Sequence, residues 1–315
     1  MLQQDDVLIL ESRDSIHKML ALEASMKCGD GEENAASNEG VNSLWRQKVA
    51  LWCYQVVDHL EEERSTVYVA MNILDRFCSA LHSRAGMDEH AYEVASMTAL
   101  FLAVRIAGSG NLEMSELLSM SRKGISSQDI MLTGTSIIET LDLSKRILTP
   151  FDFIASLADH LPLSLKADAS RLRDSACYLA EMAVCDTVLS SFKASEVAFV
   201  AFVNSIEEMV SKSEASVFGS FVAKATDIIP SSSETARISR RLRGIYQKQR
   251  QDSRSPSAQQ AEAQPVVAHA HSPLVRVVSV DDLQEFSKQR SGLKRCQSEY
   301  SLDEDYQMKR SRYHD

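Results

Sequence analysis

Asp75 sits between Leu74 and Phe77 in a stretch whose apolar residues recur at helical spacing. A carboxylate on such a face needs a cation or several backbone donors, because an unpaired buried charge is costly. Arg46, between Trp45 and Trp52, is the cation that suits it, since a guanidinium grips a carboxylate through two parallel hydrogen bonds. The alternative leaves Asp75 and Arg46 as solvated surface charges. Arg105 raises the same question at the end of the most apolar stretch. The helix dipole favours a cation in a last turn, and contact with a partner protein competes with that structural role.

Other residue types capable of chemistry are present without the spacing that chemistry requires. The sequence has no P-loop, no G-x-G-x-x-G, no H-E-x-x-H and no G-x-S-x-G, so no metal or cofactor and no small-molecule substrate is expected. His269 and His271 lie in a polar tail without neighbouring Cys or acids, which is a poor metal site. Asp58-His59 followed by Glu61-Glu62-Glu63 reads as a solvated helix end. The six Cys (Cys28, Cys53, Cys78, Cys177, Cys185, Cys296) contain no C-x-x-C pair and read as reduced thiols of a cytosolic or nuclear protein.

The elements that must position Arg46, Asp75 and Arg105 are helices. Composition favours them: 44% hydrophobic and 25% charged residues with only 11 Gly and 6 Pro in 315. Trp45, Val49, Trp52, Cys53, Val56, Val57 and Leu60 share one face after a capping candidate at Asn42 or Ser43. A second helix follows Ser65-Thr66, and a third, 88–107, turns apolar nearly all round, as only a helix enclosed by others can. Short segments at 115–120 and 127–141 complete a first set of five. Thr149-Pro150, a cap with Pro at the first helical position, restarts the pattern. A second five follows at 150–160, 167–189, 195–210, 214–229 and 232–249, its middle member again apolar all round.

The expected architecture is therefore all-α: an N-terminal helix at 14–26 and a Gly/Asn-rich joint within 1–40, five-helix units at 41–148 and 149–250, and a disordered regulatory tail at 251–315. Net charge is −10, distributed as −6 over 1–44, −9 over 45–236 and +5 over 237–315. An acidic body argues against nucleic acid as a ligand and leaves proteins as partners. The longest apolar stretch, 94–107, is too short to cross a bilayer, and the acidic first residues do not suit a secretory signal, so no membrane association is expected.

Trp45-Arg46 through Trp52, then Ala70-Met71-Asn72-Ile73-Leu74-Asp75-Arg76-Phe77, then Leu102-Ala103-Val104-Arg105, resembles the cyclin box, including the separation of the Arg from the Asp. Thr149-Pro150-Phe151-Asp152-Phe153-Ile154 resembles the start of a second box, and Met19-Leu20-Ala21-Leu22-Glu23 the helix that precedes the box in D-type cyclins. The resemblance spans residues 14–250. No L-x-C-x-E motif accompanies it.

This resemblance implies two tandem cyclin boxes and a non-catalytic regulatory subunit, not an enzyme, that activates a cyclin-dependent kinase in G1/S-like control of cell division. It places the kinase face at Leu102, Arg105, Ile106 and Ile138, with Arg105 where the family has Lys and Gly134 where it has Glu. A substrate-docking patch would comprise Trp45, Val49, Trp52, Gln55 and Tyr92, with Lys48 in place of an apolar residue. The other reading is a cyclin-fold scaffold that binds other proteins, for example in transcription, without activating a kinase. In the tail, Lys294-Arg295 and Lys309-Arg310 with Arg312 resemble a bipartite nuclear-import signal, so nucleus and cytoplasm are the expected locations. Ser255 and Ser272, each before Pro, resemble sites of a proline-directed kinase.

Overall fold

The computed structural model describes residues 4–25, 41–82, 88–108, 110–121, 124–159, 161–162, 164–225 and 233–252. The described residues all fall in one compact unit, Met1–Arg276. They fold into helices, with no strand among them. The expected joint at 28–40, His269, His271, both phosphorylation candidates and both basic clusters lie outside the described residues.

Helix α1 runs Gln4–Ser25. It starts ten residues before the position expected from apolar periodicity, because 4–13 carry too few apolar residues in register to mark a helix. The first group comprises α2 (Val41–His59), α3 (Ser65–His82), α4 (Glu89–Ala107), α5 (Met114–Ser119) and α6 (Ser127–Thr140). Asn42 and Ser43 fall inside α2, past the position of a cap. Asp88 caps α4 by accepting from Ala91 N at 2.7 Å. Ser126 and Asp129 close a reciprocal capping box on α6, and so fix where that helix starts.

The second group comprises α7 (Pro150–Asp159), α8 (Ala169–Cys185), α9 (Ala194–Met209), α10 (Lys212–Ala225) and α11 (Ser233–Asp252). At the start of α7, Thr149 Oγ1 accepts from Asp152 N, and the Asp152 carboxylate accepts from Thr149 N at 2.8 Å, so Pro150 follows a closed box. The single helix expected over 167–189 is divided. Asp186 ends α8 by accepting from Val188 N and Leu189 N, and short 3-10 turns occupy Lys166–Asp168 and Leu189–Ser191. The helix expected over 214–229 begins two residues earlier, at Lys212, and residues 226–229 lie outside the described residues.

Two cores result. In one, α4 is enclosed by α3 and α6, and Val94 through Leu100 are buried without interruption. In the other, α9 is enclosed by α7, α8, α10 and α11, with Phe199, Phe202 and Phe218 at its centre. The cores part between Ile147 and Leu148, but each borrows from beyond that point. Val184 and Cys185, at the end of α8, pack with the first, and Ile16 of α1 packs with the second. Helix α1 is also tied to α9: buried Glu23 accepts from Ser195 N at 3.0 Å and from Ser195 Oγ at 2.6 Å, supplying the N-terminus of α9 with acceptors from 172 residues away.

Cys53, Cys78, Cys177 and Cys185 are free thiols. Burial pushes Cys78 and Cys185 up to about 12 and Cys177 to about 11. Since the thiolate is the nucleophile, Cys185 in the native protein should alkylate roughly a thousandfold more slowly at pH 8 than in the unfolded chain. Residue-resolved mass spectrometry after timed iodoacetamide treatment checks this. Equal native and unfolded rates would show that the end of α8 is open to solvent.

Candidate functional site

The buried face of α2 runs Arg46, Ala50, Cys53, Tyr54, Val57, with Arg46 one turn before the apolar positions. That turn brings its guanidinium to α3 and to the end of α8. Arg46 Nε donates to Asp75 Oδ1 at 2.9 Å, Nη2 to Asp75 Oδ2 at 2.8 Å, and Nη1 to the Val184 carbonyl at 2.6 Å. The structure therefore brings the sequence-proposed pair together as a two-point grip, and adds a third contact. Val184 lies in the last turn of α8, where carbonyls lack helical partners and the dipole attracts a cation. Burial works against the Arg46 charge, but the charge and hydrogen bonds of Asp75 outweigh it, so its pKa lies above the ordinary guanidinium value.

A second arginine repeats the arrangement. Arg64, just before α3, donates from Nε and Nη2 to Glu181 Oε1 and Oε2 at 2.9 and 3.0 Å. It also donates to Asp58 at 2.6 Å, and its guanidinium lies 4.5 Å from the Tyr54 ring centroid. Asp58 is thus held in an ion pair, and among the described residues no group of acids, His or Cys is arranged to hold a metal. Sequence reasoning missed the Arg64–Glu181 pair, although Glu181 interrupts Leu179-Ala180 and Met182-Ala183 much as Asp75 interrupts its own apolar face.

Through Arg46 and Arg64 the first group holds α8 of the second at two points, Val184 and Glu181. A double-mutant cycle on Arg64→Met and Glu181→Gln should give a coupling energy of about 1–3 kcal/mol in denaturant titrations. Additive effects would mean that the pair contributes nothing as a pair.

Within the first group, α4 packs against α6, with Thr98 next to Gly134. Leu102 is half-buried, and Arg105 and Ile106 are exposed. The Arg105 guanidinium lies over the Phe101 ring, 4.4 Å from its centroid. Helix α6 turns Ile130, Gly134, Ile137 and Leu141 inward, which leaves Ile138 outside at 57% exposure. Met131 and Leu132, exposed at 64% and 46%, extend the outward apolar surface of α6, and sequence reasoning did not include them. Their signal was their place in the turn before Ile138 on a short helix. Gly134 is buried, and a Cβ there would meet Thr98 Cγ2 at 3.5 Å, ordinary contact. The position at which the resemblance implies a carboxylate thus lies on the side of α6 turned to α4.

Of the docking-patch residues, Trp45 and Tyr92 meet with ring centroids 6.0 Å apart, tilted by 39°. Val49, Trp52 and Gln55, with Lys48, follow on α2, all half-buried. Burial first, and then the nearby Asp75 charge, push the Tyr92 hydroxyl well above the ordinary tyrosine range.

Residues 14–144 match the family described as Cyclin, N-terminal domain. Over 168 residues the chain is 24% identical to the G1/S-specific cyclin-D2 of Xenopus laevis, which covers 51% of this chain; the chain spans about half, 53%, of that relative. The structure superposes on a viral cyclin from herpesvirus saimiri with a TM-score of 0.53 at 14% identity, covering 66% of this chain and 86% of the viral one. That is more of the chain than residues 14–144 contain, so the likeness in fold reaches into the second group of helices. The all-α architecture is a cyclin fold. Residues 14–144 thus carry a cyclin N-terminal domain, and the chain resembles the D-type members of that family.

Proposed function

We propose that this protein is a non-catalytic regulatory subunit that binds and activates a cyclin-dependent protein kinase in G1/S-like control of cell division. The observation that carries the reading is the exposure of Ile106 on α4 and of Met131, Leu132 and Ile138 on α6, two helices that pack together. On α4, exposed Arg105 lies over the Phe101 ring. Exposed apolar surface of this kind marks a protein interaction site. A kinase docked there would have its movable helix and activation loop held in their active arrangement. Trp45, Val49, Trp52, Gln55 and Tyr92 would serve kinase substrates as a docking patch. Capture of individually purified cyclin-dependent kinases on the immobilised full chain tests the binding step. Ile138→Glu should abolish capture, and kinase retention by that variant would remove this face from the proposal.

Gly134 favours a second reading. With no carboxylate at the position where the resemblance implies one, the same surface would serve a scaffold that binds a protein partner without activating a kinase. An inactive complex would support it.

The two basic clusters of the tail are proposed as a nuclear-import signal acting beside a cytoplasmic pool, with Ser255 and Ser272 as phosphate acceptors that would add about −1.5 to −2 charges each to a basic region. Deleting residues 291–315 from a fluorescent fusion that also carries Arg105→Ala should shift it to the cytoplasm. The second change prevents import on a kinase partner. Unchanged nuclear accumulation would discard the signal.

A further inference from the structure

A cleft of about 560 Å³ lies in the second group of helices, away from both surfaces discussed above. Its floor is Phe199, Val200 and Val203 of α9. Its walls are two rows of small side chains: Ala215, Ser216, Gly219 and Ser220 on α10, facing Thr235, Ala236 and Ser239 on α11. Spacings of three and four put each row on one helix face. These small residues leave the space between the helices unfilled, and its volume lies in the range of ligand pockets.

Charge is distributed unevenly around this space. Lys212, Arg243 and Glu207 line it together, but the Glu207 carboxylate is taken up by Arg243. No acid among the described residues pairs with Lys212. Asn204 lies next to this end of the cleft in the bonding network: its Oδ1 accepts from Ser239 Oγ at 2.9 Å and from Arg243 Nε and Nη2 at 3.0 and 2.8 Å. Its amide Nδ2, in a residue only 6% exposed, has no acceptor. The Asn204 amide is thus a buried donor without an acceptor, which costs free energy, and exposed Lys212 adds a cation beside the apolar floor.

We propose that this cleft is a docking groove for a peptide segment of a partner protein, one that presents a large apolar side chain to Phe199, Val200 and Val203 and an adjacent Asp or Glu to Lys212 and Arg243. The apolar anchor fills space that the small walls leave open. The carboxylate meets the Lys212 ammonium and the Arg243 guanidinium, which line the cleft, and an ionised acceptor makes the stronger hydrogen bond. Basic partners are disfavoured by Lys212.

The test uses the full-length chain as bait for a random-peptide phage library, with recovered peptides synthesised and titrated by fluorescence polarisation. Peptides with a large apolar residue next to Asp or Glu should be enriched. Their affinity should fall about tenfold or more for Lys212→Glu, and likewise for Ser216→Trp and Ala236→Trp, which place a ring in the cleft from exposed positions. Thermal unfolding confirms that each variant is folded. Arg105→Ala should leave peptide affinity unchanged, which separates this groove from the proposed kinase face. Failure to enrich any peptide, enrichment of basic or uncharged sequences, or affinities indifferent to all three cleft variants would overturn the proposal.

Discussion

Asp75→Ala should lower the free energy of unfolding by about 2–4 kcal/mol. Removing one partner of a buried ion pair costs about 3–5 kcal/mol because the other charge is stranded. The Arg46 side chain is 7% exposed and has nowhere to go, but that of Asp75 is 36% exposed, so water screens part of the interaction and the lower range applies. Arg46 would keep its bond to the Val184 carbonyl, which softens the loss further. Urea titration followed by circular dichroism checks this. A change below about 1 kcal/mol would mean that the pair does not hold α2 to α3 in solution.

Arg105→Ala should weaken capture of a cyclin-dependent kinase about thirtyfold or more while leaving the unfolding midpoint nearly unchanged. Arginines at the centre of interfaces commonly contribute at least about 2 kcal/mol. The side chain is exposed in the free protein, and among the described residues its contact is with Phe101, so folding has little to lose. Arg105→Lys separates charge from shape. A lysine restores the cation without the planar guanidinium, and partial recovery is expected. Equal capture by wild type and Arg105→Ala would refute the assignment of this face.

The ease of reading different parts of this chain from its residues has a physical basis. Helices were legible where an apolar face is wide and continuous, as in α2, α3, α4 and α9, because period and burial then say the same thing. The start of α1 was not, since its first turns carry no such face. The break after α8 depends on one side chain, Asp186, turning back to two backbone N–H groups, which apolar periodicity does not register.

The Arg46–Asp75 pair was legible because each residue is anomalous in its own surroundings. Glu181 was equally anomalous, but its partner Arg64 lies 117 residues away in a short connection among other charges, where nothing singles it out. Met131 and Leu132 were passed over because an apolar residue reads as core until the geometry of the helix shows it outside. Gly134 carried the opposite lesson: a position compared for its missing charge is one that α6 turns toward Thr98.

Kinase activation is measured as phosphate transfer to a protein substrate by a purified cyclin-dependent kinase, with increasing amounts of the full-length chain added. At least one such kinase should gain activity that saturates at one chain per kinase. Arg105→Ala should move the half-maximal concentration about thirtyfold upward, in parallel with its loss of capture. A kinase that binds the chain stoichiometrically through this face yet gains no activity, or a panel in which none is captured, would contradict kinase activation by this chain.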